Sequence, residues 1–207
     1  MREASVEYWD AVSALRLRAA ELLESLSPAE WEAPSLCAGW RVRDVAGHLA
    51  LIPTITTWDL VAAAPRAGFS PHRINTLLAV RHGRRDAGAL VREIRAHAGD
   101  RRTARMLDTR DALFDLIVHG QDIALPLGRE FVVSAELCRE GLRRVWAMGW
   151  PFNARRRLAG LRLRATDIDW SEGEGPEVAG PALALLLLLT GRDHAARPAL
   201  HGPGITT

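Results

Sequence analysis

Apolar residues return at helical spacing in one long segment after another along most of this chain, separated by short punctuated connections. Amphipathic helices of such length must bury one stripe against each other, and a bundle is the simplest way to do so. Val12, Leu15, Ala19, Leu22 and Leu26 form the first stripe, which predicts a helix over residues 5–26. Ser27, Pro28 and Glu30 then read as an N-cap, a proline at the first helical position and a short turn of helix, leading to a loop around Pro34 and Gly39. A second helix is expected over 42–64, kinked by Pro53 or split into two pieces meeting at Ile52. Further helices are expected over 72–98, 105–125 and 134–148, that over 105–125 stopped by Pro126 and Gly128.

The pattern then changes. Leu161, Leu163 and Ala165 alternate with Arg162 and Arg164, 167–170 continues as extended chain, and 171–176 (SEGEGP) is a turn-rich break, together a strand or hairpin. Gly180-Pro181 opens a buried helix through Leu189 that Gly191 stops. The reading is a mainly α protein with an α+β C-terminal part: a four-helix bundle over 1–150 and a small α+β domain over 151–207.

Composition narrows the partners. With 207 residues, 48% hydrophobic and 25% charged, the chain can bury one sizeable core. Every one of its 27 basic residues is arginine, but acids are interleaved and the net charge is only +2, so nucleic acid is not an expected partner. Clusters at 81–85 (RHGRR) and 155–157 could hold anions, although solvated helix faces explain them as simply. Two cysteines, Cys37 and Cys138, make neither a disulfide framework nor a thiol-ligand motif. The apolar run ALALLLLL from Ala182 is far short of the roughly twenty residues a membrane span needs. MREASVEYWD carries acids and no apolar stretch before a cleavage site, so a secretory signal is not expected and a cytoplasmic location is.

Three residues could carry chemistry together. Val45, Ile52 and Ile55 lie within about 60° of His48 on a helical wheel, so its imidazole faces the interior, where it needs a partner. A lone inward histidine is more often a hydrogen-bonded core residue than a ligand. Asp44, one turn earlier, could orient it or serve the helix N-terminus. Asp115 and His119, however, stand four apart on the fourth helix, which lets both reach one ion or pair with each other at a surface. Ala112, Val118 and Ile123 flank them and favour a half-buried stripe. With His48 from another helix, two histidines and one carboxylate would surround an open coordination position, as in catalytic metal sites.

The segment from Leu36 to Leu49, LCAGWRVRDVAGHL, resembles the C-x-G-W-T/S-V-x-D-L/V-x-x-H-L signature of the mycothiol-dependent maleylpyruvate isomerase family, DinB-like metal-binding helical bundles. Leu26 to Trp31 fits the usual lead-in, and Asp115 to Ile123 is similar to its E-x-x-x-H-G-x-D-I/V block. ATDIDW from Ala165, and Gly180-Pro181 through Gly191-Arg192, resemble its C-terminal domain. The resemblance implies zinc, or another divalent metal, on His48, His119 and Asp115, and mycothiol as cofactor. The metal would lower a thiol's pKa; thiolate addition to a cis double bond, rotation and elimination would isomerise a small electrophilic substrate, and relatives would use the same thiolate for transfer. It also implies Arg192, and less directly Arg81, as cations for the thiol or substrate. Asp115 departs from the usual glutamate by one methylene, so the helices must approach more closely or a water must intervene. Arg41 departs from the usual Thr or Ser at the helix N-cap, a loss of about 1 kcal/mol. Cys37 reads as a small buried hydrophobe and the tryptophans mostly as core. A metal-dependent hydrolase, or a binding module that has lost the chemistry, stays open beside the thiol-using enzyme, as monomer or homodimer.

Overall fold

The structure, a computed structural model, describes residues 6–101 and 108–205. It is helical with one small three-stranded sheet, the fold class the sequence led us to expect. Two compact units divide the chain: Met1–Ala112 with His119–Phe131, and Leu113–Val118 with Val132–Thr207. Among the described residues no helix is long and apolar enough to cross a membrane.

In the first unit α1 (Val6–Glu24) buries Val12, Leu15, Ala19 and Leu23, and it packs on α6 (Ala87–Ala96), which buries Leu90, Val91 and Ile94. Leu23 rather than Leu22 completes the stripe. Arg16 lies on that inward face with only 3% of its surface exposed. Its Nη1 donates to the carbonyls of His97, Ala98 and Asp100 at 3.1, 3.1 and 2.7 Å, just beyond the C-terminus of α6. A guanidinium can be buried there because those carbonyls have no helical partner of their own.

Short α2 (Pro28–Glu32) follows with the expected cap: Ser27 Oγ accepts from the Glu30 backbone N–H and Glu30 Oε2 accepts from that of Ser27 at 2.8 Å. Glu30 also receives Arg129 Nη2 at 2.8 Å. The Ser27 backbone N–H foremost, then Arg129, hold its carboxyl down at about 2 from an ordinary 4.5. A depressed folded-state value stabilises above the unfolded value and is lost as pH falls through the folded one. The thermal midpoint is therefore expected to fall more gently between pH 4.5 and 2 in Glu30→Gln than in the wild type. Parallel melting curves over that window would remove the cap from the acid sensitivity.

The helix expected over 42–64 is two, α3 (Val42–Leu51) and α4 (Thr57–Ala63), parted by Pro53 and by Thr56, which caps α4. The stretch over 72–98 is also not one helix: α5 (Pro71–Gly83) ends at Gly83 and Asp86 caps α6. A side-chain acceptor for the first N–H groups makes a fresh helix start cheaper than continuation there. Helix α3 crosses α5 at two glycines, where a Cβ on Gly47 would stand 2.4 Å from the Gly83 nitrogen. Helix α7 (Ala112–Ala124) supplies residues to both units. The start of the stretch expected over 105–125 lies partly outside the described residues.

In the second unit α8 (Ala135–Ala147) packs on α10 (Ala182–Leu189), whose run of leucines is buried on almost every side. Short α9 (Ala154–Arg157) follows α8 in sequence and short α11 (Asp193–Ala196) follows α10. The sheet has order β2-β1-β3, with β1 (Arg162–Ala165) antiparallel to β2 (Ser171–Glu172) and parallel to β3 (Glu177–Gly180). Leu163 and Ala165 point into the core, as their alternation predicts. The extended chain expected over 167–170 is instead the turn of the hairpin, closed by a Trp170 N–H bond to the Ile168 carbonyl at 3.0 Å, so β2 begins inside the expected break. Asp167 Oδ1 accepts the Ala182 N–H at 2.8 Å and caps α10, doing what Pro181 cannot.

Candidate metal centre

Helix α3 starts without an acceptor at its N-cap, since arginine has none. Asp44 makes up for it. Its Oδ2 accepts the Arg41 backbone N–H at 2.9 Å and Nε at 3.1 Å, while Oδ1 accepts Nη2 at 3.2 Å. The pairing also holds the Arg41 guanidinium still more firmly protonated. Asp44 thus serves the helix N-terminus, and the cap loss expected from Arg41 is offset by this ion pair. One turn on, His48 is 5% exposed and inward, as its wheel position predicts.

His119, on α7, is 9% exposed, and its ring lies 4.7 Å from that of His48, centroid to centroid, edge to face. Trp40 stacks along the His119 ring at 6.2 Å with 9° between planes and leans on His48 at 5.7 Å. Asp115 precedes His119 by one turn and is half-buried. One ligand atom from each of His48, Asp115 and His119 lies within 4.8 Å of the others. The missing methylene of Asp115 therefore does not keep it out of the group.

The Nδ1 edge of His119 meets two residues to which the sequence reading gave no part in the site. Asp122 has no exposed surface, and its Oδ2 stands 2.8 Å from His119 Nδ1. The signal was available: a carboxylate three residues after a histidine on one helix. Cys37 was read as a small buried hydrophobe. It is half-buried, and its thiol donates to Asp122 Oδ2 at 3.0 Å, with Sγ 3.6 Å from His119 Nδ1. Nothing local to Cys37 betrays this, because the partners lie 82 and 85 residues away. The other cysteine, Cys138, is fully buried, and burial pushes its thiol up to about 12.

The two candidate cations sit at helix C-termini. Arg81 is exposed on the last turn of α5, where its charge helps to hold the Asp59 carboxyl below its usual value, after the Thr56 hydrogen bonds. Arg192 donates from Nη1 to the Thr190 carbonyl at 2.7 Å, at the C-terminus of α10. The basic clusters are largely engaged at helix ends: Arg85 pairs with Glu93, Arg157 reaches the Leu188 carbonyl at 2.5 Å and Asp193 at 3.1 Å, and Arg155 lies over the Trp146 ring. Trp31, Trp40, Trp146 and Trp170 are buried, as most of the tryptophans were expected to be, whereas Trp58 and Trp150 are 79% and 65% exposed.

The donor set suits a divalent ion. A carboxylate accepts, so the 2.8 Å contact of Asp122 Oδ2 with His119 Nδ1 favours the tautomer whose Nε2 keeps its lone pair for a metal. Two imidazoles and one carboxylate leave a tetrahedral ion one open position, and the intermediate hardness of the set suits zinc.

Residues 12–124, just over half of the chain, match the mycothiol maleylpyruvate isomerase N-terminal domain family. Two solved structures share the fold. One is a crystal structure of a histidine-to-alanine mutant of the mycothiol-dependent maleylpyruvate isomerase, 14% identical with a TM-score of 0.64. The other is of the mycothiol-dependent maleylpyruvate isomerase, 15% identical with a TM-score of 0.59. In each case 99% of this chain and 95% of the other are covered. No curated protein matches the sequence.

Proposed function

Since the chain belongs to the mycothiol maleylpyruvate isomerase N-terminal domain family, we propose that it is a divalent-metal-dependent enzyme. It uses mycothiol to isomerise, or to transfer the thiol to, a small electrophilic substrate. The observation that carries this reading is the convergence of ligand atoms from His48, Asp115 and His119 within 4.8 Å. When bound, zinc or a related ion would favour the ionised form of a thiol beside it, and the thiol would supply the nucleophile.

The chain's own residues bind and orient. His48 and His119 offer neutral imidazoles and Asp115 a single negative charge, a donor set that leaves a bound dication with net positive charge to attract an anionic thiol. Trp40 walls the two rings with an apolar face, which lowers the local dielectric and strengthens that attraction. Arg192 and Arg81 are the groups we assign to the polar atoms of the thiol and the carboxylates of the substrate, as guanidinium forks suit carboxylate geometry.

Elemental analysis of untagged protein tests the premise. Near-stoichiometric zinc is expected in the wild type and none in Asp115→Ala after dialysis, whereas Asp115→Glu, which restores the longer carboxylate, is expected to keep its metal. Assay with maleylpyruvate as the first electrophile should then show turnover only when mycothiol is added. Turnover without any thiol would replace this reading by a metal-dependent hydrolase. A wild type that takes up no metal even on reconstitution would leave a binding module.

A further inference from the structure

We infer that Asp122 is a positioning residue for His119, with Cys37 as its second donor, and that together they decide which nitrogen of His119 faces His48. This rests on the metal-dependent reading above. Asp122 Oδ2 receives both the His119 Nδ1–H, at 2.8 Å, and the Cys37 thiol, at 3.0 Å, in a spot with no exposed surface. A buried carboxylate needs such donors, and without them it would be expelled or protonated. The loop that brings Cys37 is held to the same residue by its backbone, for the Leu36 N–H donates to the Asp122 carbonyl at 3.1 Å. Within the loop the Cys37 N–H is fixed on Ser35 Oγ at 3.1 Å, and the Trp40 N–H on the Cys37 carbonyl at 2.9 Å. Trp40 then stacks on His119. The ring is thus fixed at Nδ1 by one residue and along its face by another, both from one loop-and-helix junction.

The alternative use of these three side chains is a second metal site, since one ligand atom from each of Cys37, His119 and Asp122 also lies within 4.8 Å of the others. The distances argue against it. Ligands sharing a tetrahedral zinc stand roughly 3.4 to 3.6 Å apart, whereas the contacts to Asp122 are 2.8 and 3.0 Å, the lengths of hydrogen bonds. Protons, not a cation, occupy this side of the ring.

Nitrogen-15 NMR of the metal-free protein tests the inference without reference to activity. The wild-type His119 ring is expected to carry its proton on Nδ1, and Asp122→Ala to lose that preference. Chelator competition should show zinc affinity falling on the order of ten- to a hundredfold in Asp122→Ala. Asp122→Asn, whose amide oxygen still accepts from Nδ1, is expected to rescue both readouts, and Cys37→Ser, which still donates, to change neither. A cobalt-substituted wild type should show no thiolate-to-metal charge-transfer band. A wild-type proton on Nε2, an unchanged affinity in folded Asp122→Ala, or a charge-transfer band abolished by Cys37→Ser would each overturn the inference. If the wild type binds no metal, the proposed function falls while the tautomer still decides this point. That measurement needs no variant, so it stands even if Asp122→Ala does not fold.

Discussion

His48→Ala and His119→Ala are both expected to weaken zinc binding by at least about a thousandfold, or roughly 4 kcal/mol. Each removes one of only three protein ligands, a larger loss than the ten- to hundredfold typical of residues one shell out. Removing His119 should also cost stability. His119→Ala takes away the N–H that Asp122 accepts at 2.8 Å, in a position with no exposed surface. Leaving a buried acceptor short of a donor costs about 1–3 kcal/mol. Metal-free His119→Ala is therefore expected to be less stable in urea than the metal-free wild type, and the comparison must be metal-free because a ligand that binds only the folded state adds its own stabilisation. Metal retained in both variants would remove the site.

Gly47→Ala is expected to destabilise the protein by at least about 2 kcal/mol. In an ordinary helix the change would gain nearly 1 kcal/mol, because glycine surrenders more backbone entropy. Here the new methyl would stand 2.4 Å from the Gly83 nitrogen and 2.7 Å from the Ala79 carbonyl oxygen. Both are backbone atoms of α5 and cannot rotate away, so the helices must separate. From the other side, a Cβ on Gly83 would meet the Arg43 carbonyl at 2.6 Å. Overpacking of this kind costs about 1–3 kcal/mol when side chains can yield and more when backbone must. Because His48 is the next residue, the same shift is expected to weaken zinc binding. Urea midpoints and chelator competition read the two effects, and a midpoint equal to that of the wild type would show that α3 and α5 can part freely.

What could be read along the chain was whatever depends on neighbours within a turn or two. Ser27, Pro28 and Glu30 announce α2, Pro53 announces the break after α3, and the alternation of Leu161, Leu163 and Ala165 announces β1, since caps, ring constraints and strand pleats act over a few residues. The candidate metal group was legible for the same reason. Asp115 and His119 share a face by helical period alone, and His48 sits among Val45 and Ile52 on its own stripe. Asp122 obeys the same spacing rule and was passed over.

The break between α5 and α6 was harder, because apolar spacing continues across Arg84 and Asp86 while the cap at Asp86 makes a new start. The burial of Arg16 has no local signal at all, because the carbonyls that satisfy it come from beyond α6, more than eighty residues away. Sequence by itself determined that the chain is mainly helical, that its C-terminal part carries strands, and that His48 looks inward. Only the tertiary structure decided that Cys37 would meet Asp122, that Gly47 would meet Gly83, and that His48 would face His119 across 4.7 Å. Periodicity sets the direction in which a side chain points but carries no information on what another element places there. That depends on the packing of the whole chain.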